Sequence, residues 1–422
     1  MQPVTPKLKY KNGSLLYFEE VEVKKIAEKF STPVYVYSKN QIKENFLSYK
    51  SAFLELNRKY LICFAIKSNS NSEVLKIIKN LGGGADITSG GELYRALKSG
   101  IDSKKIVYAG VGKTKQEIEF AIKNDILMFN VESKDEVELL ESICRQKNKK
   151  VNIAVRVNPE VNTHTISYVS TGEEGTKFGI PIDDVVEFCK YIKREFENLN
   201  LVGLHFHIGS QICDLEPFIK ATKKVVSLVK TLRQIGIKLK YLDVGGGLGI
   251  RYKDEEPPIP KNFILRLSKY IPEDLTIICE PGRSIVGNAG ILICKVLYHK
   301  KVRNKNFLIV DASMTDLIRP AFYGAYHNVV PVVISNHRSL ITCDIVGPVC
   351  ETSDFLCKNR TIPNVENGEY LVIETVGAYG FVMSSNYNSR LRPAEVMVEN
   401  NKFYLVRKRD EYKDLVREEV KS

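Results

Sequence analysis

Between residues 61 and 279 short apolar runs recur at even intervals, and a longer amphipathic run follows nearly every one. An apolar run without polar alternation is a strand buried on both faces, which parallel sheets covered by helices provide. The strand-like runs are 61–66, 84–87, 106–109, 127–130, 151–157, 202–206, 240–244 and 275–279. The amphipathic runs between them are 71–80, 90–99, 114–123, 133–146, 183–195, 214–235 and 260–270. Eight strands alternating with helices over roughly 250 residues predict an α/β fold, a (β/α)8 TIM-like barrel, with an open doubly wound sheet as the alternative. From about residue 285 turns separate runs such as "NFLIVDA", "SLITCDIVG" and "EYLVIETV", with little helix between them. That pattern predicts a C-terminal antiparallel β-sandwich or barrel domain. The expected division is 33–280 for the barrel, and 1–32 with 281–422 for the β domain.

Composition narrows the function. The net charge of +12 is spread among nearly as many acids, without a basic arm or zinc-finger spacing, so nucleic acid is not an expected partner. No stretch of about 18 uninterrupted apolar residues is present, so no membrane span is expected. The N-terminal "MQPVTPKLKY" has no apolar signal core, and the nine cysteines form no CxxC pair. Reduced thiols in a cytoplasmic protein without bound metal are the expectation.

The stretch "YLICFAIKSNSN", 60–71, ends a core strand on Lys67. Either the lysine marks where the strand surfaces, or it holds an aldehyde cofactor as a Schiff base at the mouth of a barrel. Catalytic groups of a barrel stand at the C-terminal ends of its strands. Those positions read Lys67, Asp86, Arg156, His207, then Gly245, Gly246 and Gly247, then Glu280. The three glycines in "LDVGGGLGI" expose backbone N–H groups of the kind that bind phosphate, but lack the dinucleotide fingerprint because Ile250 stands where a glycine is needed. In "ICEPGRS", Glu280 can pair with a pyridine nitrogen, and Arg283, past the Pro281–Gly282 turn, can take a phosphate or a carboxylate. A surface Glu–Arg pair is the plainer alternative. His205 and His207 lie on one side of a strand. With no third ligand cluster in view, an imidazole stacked on a flat cofactor, with Ser210 reaching a phosphate, fits better than a metal.

The motifs "FAIKSN", "GADITSGGEL", "VYAGVGKT", "HFHIGSQ", "LDVGGGLGI", "EPGRSIVGNAG", "GPVCETSDF" and "GAYGFVMSSNYNSR" resemble the fold-type III pyridoxal-phosphate decarboxylases, from "TPVYVYS" at 32 to "RPAEV" at 392. The resemblance implies pyridoxal 5'-phosphate (PLP) as cofactor, with Lys67 as its lysine. Asp86, His207, Ser210, Gly245, Gly246, Gly247, Glu280, Pro281, Gly282, Arg283 and Tyr379 would surround it. It implies Cys350 as proton donor, and Glu351, Arg283, Arg319, Tyr323 and Tyr379 around the substrate. Cys350 and Glu351 would reach the site of a partner subunit in a homodimer. Arg283, Arg319 and Tyr323 suit a second carboxylate and Glu351 a distal amine, which implies decarboxylation of meso-2,6-diaminopimelate to L-lysine and CO2, the last step of lysine biosynthesis. Ornithine, lysine or arginine is the alternative substrate, and a non-catalytic regulatory relative the further one. One departure stands out: the family reads Thr-His-x-Tyr where this chain has Thr165, Ile166, Ser167 and Tyr168, with His164 displaced.

Overall fold

Strands β1 (Tyr60–Ala65), β2 (Gly84–Ile87), β3 (Ile106–Tyr108), β4 (Met128–Val131), β5 (Val151–Asn158), β6 (Leu199–His205), β7 (Tyr241–Asp243) and β8 (Thr276–Cys279) form one parallel sheet, and β8 pairs with β1 to close it. This is the barrel of a computed structural model that describes residues 2–11, 13–162, 172, 175–335 and 337–420. Closure, rather than the open alternative, follows from the unbroken ring of pairings that includes β4 with β5. Cys63, Val107, Met128, Ala154, Val202 and Ile278 come from six different strands and pack into one buried cluster that fills the interior. β6 begins at Leu199, earlier than its sequence suggests, because Leu199 and Leu201 are buried where they pair with Val151 and Ile153 of β5.

The helices start where their sequences supply caps. Asn71, Ser89, Thr114 and Ser133 each accept a hydrogen bond from a backbone N–H in the first turn of helices Ser72–Asn80, Gly90–Lys98, Lys115–Lys123 and Lys134–Lys147. Each cap contributes about 1 kcal/mol. The barrel unit comprises Lys43–Ile250 and Glu256–Ser284.

The second unit comprises Met1–Ile42, Arg251–Glu255 and Ile285–Ser422. Strand Val34–Ser38, expected at the front of the barrel segment, runs instead in this unit's sheet, antiparallel to Gly290–Val302 and parallel to Ala394–Glu399. Lys305–Val310 and Leu340–Val346 are also parallel, so the sheet is mixed rather than purely antiparallel. Its core gathers Val34, Val36, Ile291, Ile293, Val372 and Val396. Among the described residues no helix is long and apolar enough to cross a membrane.

Gly84 opens β2 where a Cβ would lie 2.0 Å from the Lys105 carbonyl oxygen. Gly84→Ala should therefore destabilise the barrel by about 1–3 kcal/mol, read as a lower urea midpoint. An unchanged midpoint would show that β2 and the segment before β3 can separate freely.

Candidate active site

The chain turns sharply after β1. Ile66–Ser68 form one 3-10 turn, Ser68 Oγ donates to the Ala65 carbonyl at 2.7 Å, and Asn69 Oδ1 accepts from the Asn71 N–H at 3.0 Å. The polar run after Lys67 thus closes a turn and caps the next helix, and Lys67 is left at the rim. Its Nζ donates to Asp86 Oδ2 at 2.9 Å, where Asp86 is fully buried. Register explains the meeting: Ala65 pairs with Asp86 across β1 and β2. Burial and then the charge of Glu280 push the Asp86 carboxyl up to about 7, against the pull of Lys67.

Glu280 follows β8. Its Oε1 accepts from Asn130 Nδ2 at 3.3 Å, and Oε2 lies 3.2 Å from His205 Nε2. Burial alone would raise its pKa, but His205, Lys67 and His207 hold it well below the usual carboxylate range. Asp243, at the end of β7, has the opposite fate: burial and Glu280 push it well up, while its Oδ1 accepts from the Gly245 N–H at 3.0 Å. His207 accepts from the Gly246 N–H at its Nδ1, 3.2 Å away, which places the ring proton on Nε2. Desolvation, Lys67 and Arg156 hold this imidazole neutral.

The glycine turn is a close approach of backbone to backbone. A Cβ on Gly246 would lie 2.2 Å from the Glu280 carbonyl oxygen and one on Gly247 2.3 Å from that of Gly209, and Gly247 has φ +108°. Pro281 accepts from the Ala65 N–H at 3.2 Å, and a Cβ on Gly282 would meet Ser68 Oγ at 2.9 Å, so both hold the end of β8 against the Lys67 turn. Arg283 Nη2 donates to Ser210 Oγ at 3.1 Å. The barrel unit therefore brings together Lys67, Asp86, His207, Ser210, the three glycines, Glu280, Pro281, Gly282 and Arg283.

Arg156 stands differently. It is buried and paired with Glu132 at 2.8 Å, and Glu132 also accepts from the Gly110 and Gly179 N–H groups. Beside it Lys113, almost fully buried, donates to Glu136 at 2.6 Å and to the Asn130 carbonyl at 2.8 Å. This network, which tertiary contact alone reveals, fixes the end of β4 and with it Asn130. Asn130 and Asp243 escaped sequence reasoning, although Asp243 stands in "LDVGGGLGI" and both lie at or near the ends of their strands.

The remaining candidates belong to the second unit. Arg319 is buried, its Nη1 2.8 Å from His327 Nε2, and its guanidinium lies over the Tyr252 ring at 4.8 Å. His327 Nδ1 donates to the Glu374 carbonyl at 2.9 Å, so its Nε2 accepts from Arg319. Tyr323 is half-buried and edge-on to Phe322, and Tyr379 is half-buried with φ +56°. Cys350 is exposed, with its N–H donating to Asn388 Oδ1 at 3.2 Å, and Glu351 accepts from the Tyr387 hydroxyl at 2.6 Å. Thr165, Ile166, Ser167, Tyr168 and His164 lie outside the described residues.

Residues 39–287 match the family described as the pyridoxal binding domain of pyridoxal-dependent decarboxylases. A diaminopimelate decarboxylase of Aquifex aeolicus is 49% identical over 418 residues, 99% of this chain and 98% of the relative. One from Haemophilus influenzae is 45% identical over 409 residues, covering 96% of this chain and 97% of the relative. The crystal structure of the Helicobacter pylori diaminopimelate decarboxylase complexed with L-lysine has a TM-score of 0.89 at 44% identity, covering 93% of this chain and 98% of that one.

The Asp86 environment makes a prediction for the cofactor-free protein. An ordinary aspartate has a pKa of about 3.9, and in the fold this one is pushed up to about 7. Between those values the unfolded chain loses its proton before the folded chain does, so stability from this group falls as pH rises through the window. Asp86→Asn should therefore gain stability relative to the natural protein as pH rises from about 4 to about 7, read by urea unfolding at each pH. A flat difference would refute the shift.

Proposed function

Because the chain belongs to the pyridoxal-dependent decarboxylases, we propose that it removes CO2 from meso-2,6-diaminopimelate to give L-lysine, the last step of lysine biosynthesis. The observation that carries this reading is the 49% identity to a diaminopimelate decarboxylase over 99% of the chain, which takes in both units. Nine free thiols suit a cytoplasmic enzyme.

The residues fit PLP on three counts. A lysine amine stands at the rim, a glycine turn admits no Cβ, and Glu280 is an ionised acid in a buried floor. Bound PLP supplies an electron sink for the charge left on the α-carbon when CO2 departs. Lys67 would hold the cofactor through its Nζ, and Asp86, 2.9 Å away, can exchange a proton with that amine. Glu280 would keep a proton on the pyridine nitrogen, because an anion there favours the charged ring. In its neutral form His207 would stack on the ring, Gly245, Gly246, Gly247 and Ser210 would hold the phosphate, and the family resemblance gives Tyr379 the same role.

On the substrate side, Arg283, Arg319 and Tyr323 take the distal carboxylate, and Glu351 takes the distal amine. The family resemblance also gives Tyr379 a contact with the substrate. Cys350 delivers the proton to the α-carbon, a role open to a thiol near neutral pH. The exposure of Cys350 and Glu351 on their own chain supports a homodimer in which they serve the partner's site. The 33–280 segment then acts as the PLP-binding domain, and the flanking segments supply the substrate and partner residues.

CO2 release should be far faster from meso-diaminopimelate than from lysine, ornithine or arginine, because the latter leave the paired donors of the distal carboxylate without an anion. Arg319→Leu should lower kcat/KM for diaminopimelate by about 30-fold or more, as truncating one side of a buried charge pair does, with PLP content unchanged. Equal turnover of ornithine, or an unchanged kcat/KM in the variant, would overturn the substrate assignment.

Lys67→Ala and Cys350→Ala homodimers should each be nearly inactive. In a mixed dimer one site carries both lesions and the other neither, so random mixing should restore roughly a quarter of the natural activity through the two-fold interface. If mass measurement confirms exchange and no activity returns, Cys350 acts within its own chain.

A further inference from the structure

This inference rests on the reading of Glu280 as the partner of the pyridine nitrogen. The two histidines of "HFHIGSQ" do different things in the fold. His207 lies beyond the end of β6 and turns to the glycine loop, accepting from Gly246. His205 sits one layer deeper, 1% exposed, beside Asp243 across β6 and β7 and beside Arg156 across β5 and β6. It is turned toward Glu280, 3.2 Å away. We propose that His205, together with Asn130, is a positioning residue: the two clamp both oxygens of Glu280 and reserve for it the negative charge for which the buried acids of this floor compete.

The competition follows from the geometry. His205, Asp243 and Glu280 each bring a polar atom within 4.8 Å of the others, and all three are buried. Two carboxylates so close in a desolvated site do not both ionise, and the one with more hydrogen-bond donors keeps the charge. Glu280 accepts from Asn130 on Oε1, and, because a carboxylate can only accept, from the Nε2–H form of His205 on Oε2. Asp243 has one, the Gly245 N–H on Oδ1, and among the described residues its buried Oδ2 meets no donor but lies beside Glu280. The pKa directions agree, Glu280 down and Asp243 up. Around Glu280 the other elements contribute Lys67 from the β1 turn, Asp86 from β2, and the neutral thiols of Cys63 and Cys279. Arg156 and Lys113 are occupied by Glu132 and Glu136. Without His205 the donors on the two acids become equal in number, and the charge is no longer confined to the carboxylate that faces the ring.

The test uses the holoenzyme, with His205→Leu, His205→Gln, Asn130→Leu and Glu280→Gln measured together. Losing one hydrogen bond to a charged group should lower kcat about 10- to 100-fold in His205→Leu, with KM for diaminopimelate within about twofold because the substrate never meets His205. The pH at which the visible absorbance of bound PLP changes should move as well. His205→Gln keeps an N–H donor and should return kcat to within about fivefold of the natural enzyme. If His205→Leu does not fold, Asn130→Leu removes the other donor and should show the same fall in kcat without a change in KM. Four results overturn the proposal: an undiminished kcat in the foldable one of these two variants, equal losses in the leucine and glutamine variants, an unmoved PLP absorbance profile, or a stoichiometric divalent ion in the natural enzyme that His205→Leu loses. Glu280→Gln separates the two levels. If it is fully active, the reading of Glu280 fails and this inference with it; if it is inactive while His205→Leu is not, only the clamp fails.

Discussion

Everything at the barrel rim depends on the register in which the parallel strands pair. Ala65 stands opposite Asp86, and His205 lies between Arg156 and Asp243, which in turn faces Ile278. A parallel ladder slipped by one residue would send each of these side chains to the opposite face. Closure between β8 and β1 then brings the two ends of a long segment together, as the Pro281 carbonyl accepts from Ala65. Lys67 and Glu280 are far apart in the chain, and only this closure makes them electrostatic neighbours.

The register creates a charge problem that the sequence has to solve. Asp86, Asp243 and Glu280 are all buried at one end of the barrel, and desolvation works against every one of them. The solution is unequal. Lys67 neutralises Asp86, Glu280 keeps its charge among its donors, and Asp243 gives its charge up. Groups pushed apart in this way can take separate roles as acid, base and anion. A symmetrical set of three carboxylates would offer a cofactor nothing to distinguish one side from another.

The second unit solves a similar problem around Arg319. A buried guanidinium needs partners on its own side before it can present the rest of its donors to a ligand. His327 takes one N–H because its own ring proton is given to the Glu374 carbonyl, and Tyr252 covers the guanidinium face. The Glu374 side chain meanwhile accepts from the N–H groups of Val4 and Thr5, which ties the start of the chain to the same residue. The arginine is thus preorganised by contacts widely spaced in sequence.

The barrel and most of its rim were legible in the sequence because both depend on local signals. Unbroken apolar runs mark strands, caps such as Thr114 and Ser133 mark helix starts, and Lys67, Glu280 and the glycine turn each follow a strand directly. Non-local pairing was not legible. Val34–Ser38 has the pattern of any buried strand, and only hydrogen bonding to Gly290–Val302 and Ala394–Glu399 decides which sheet it joins. Arg156 looked available at the rim, yet Glu132 occupies it. His205 and His207 share one side of one strand in sequence, but their depth, and so their partners, differ. The sequence by itself determined which residue types reach the barrel's end, since periodicity along a strand is a property of the chain. Which acid carries the charge was decided by the tertiary structure alone, because that depends on donors delivered by β4, by β6 and by the turns after β1 and β7.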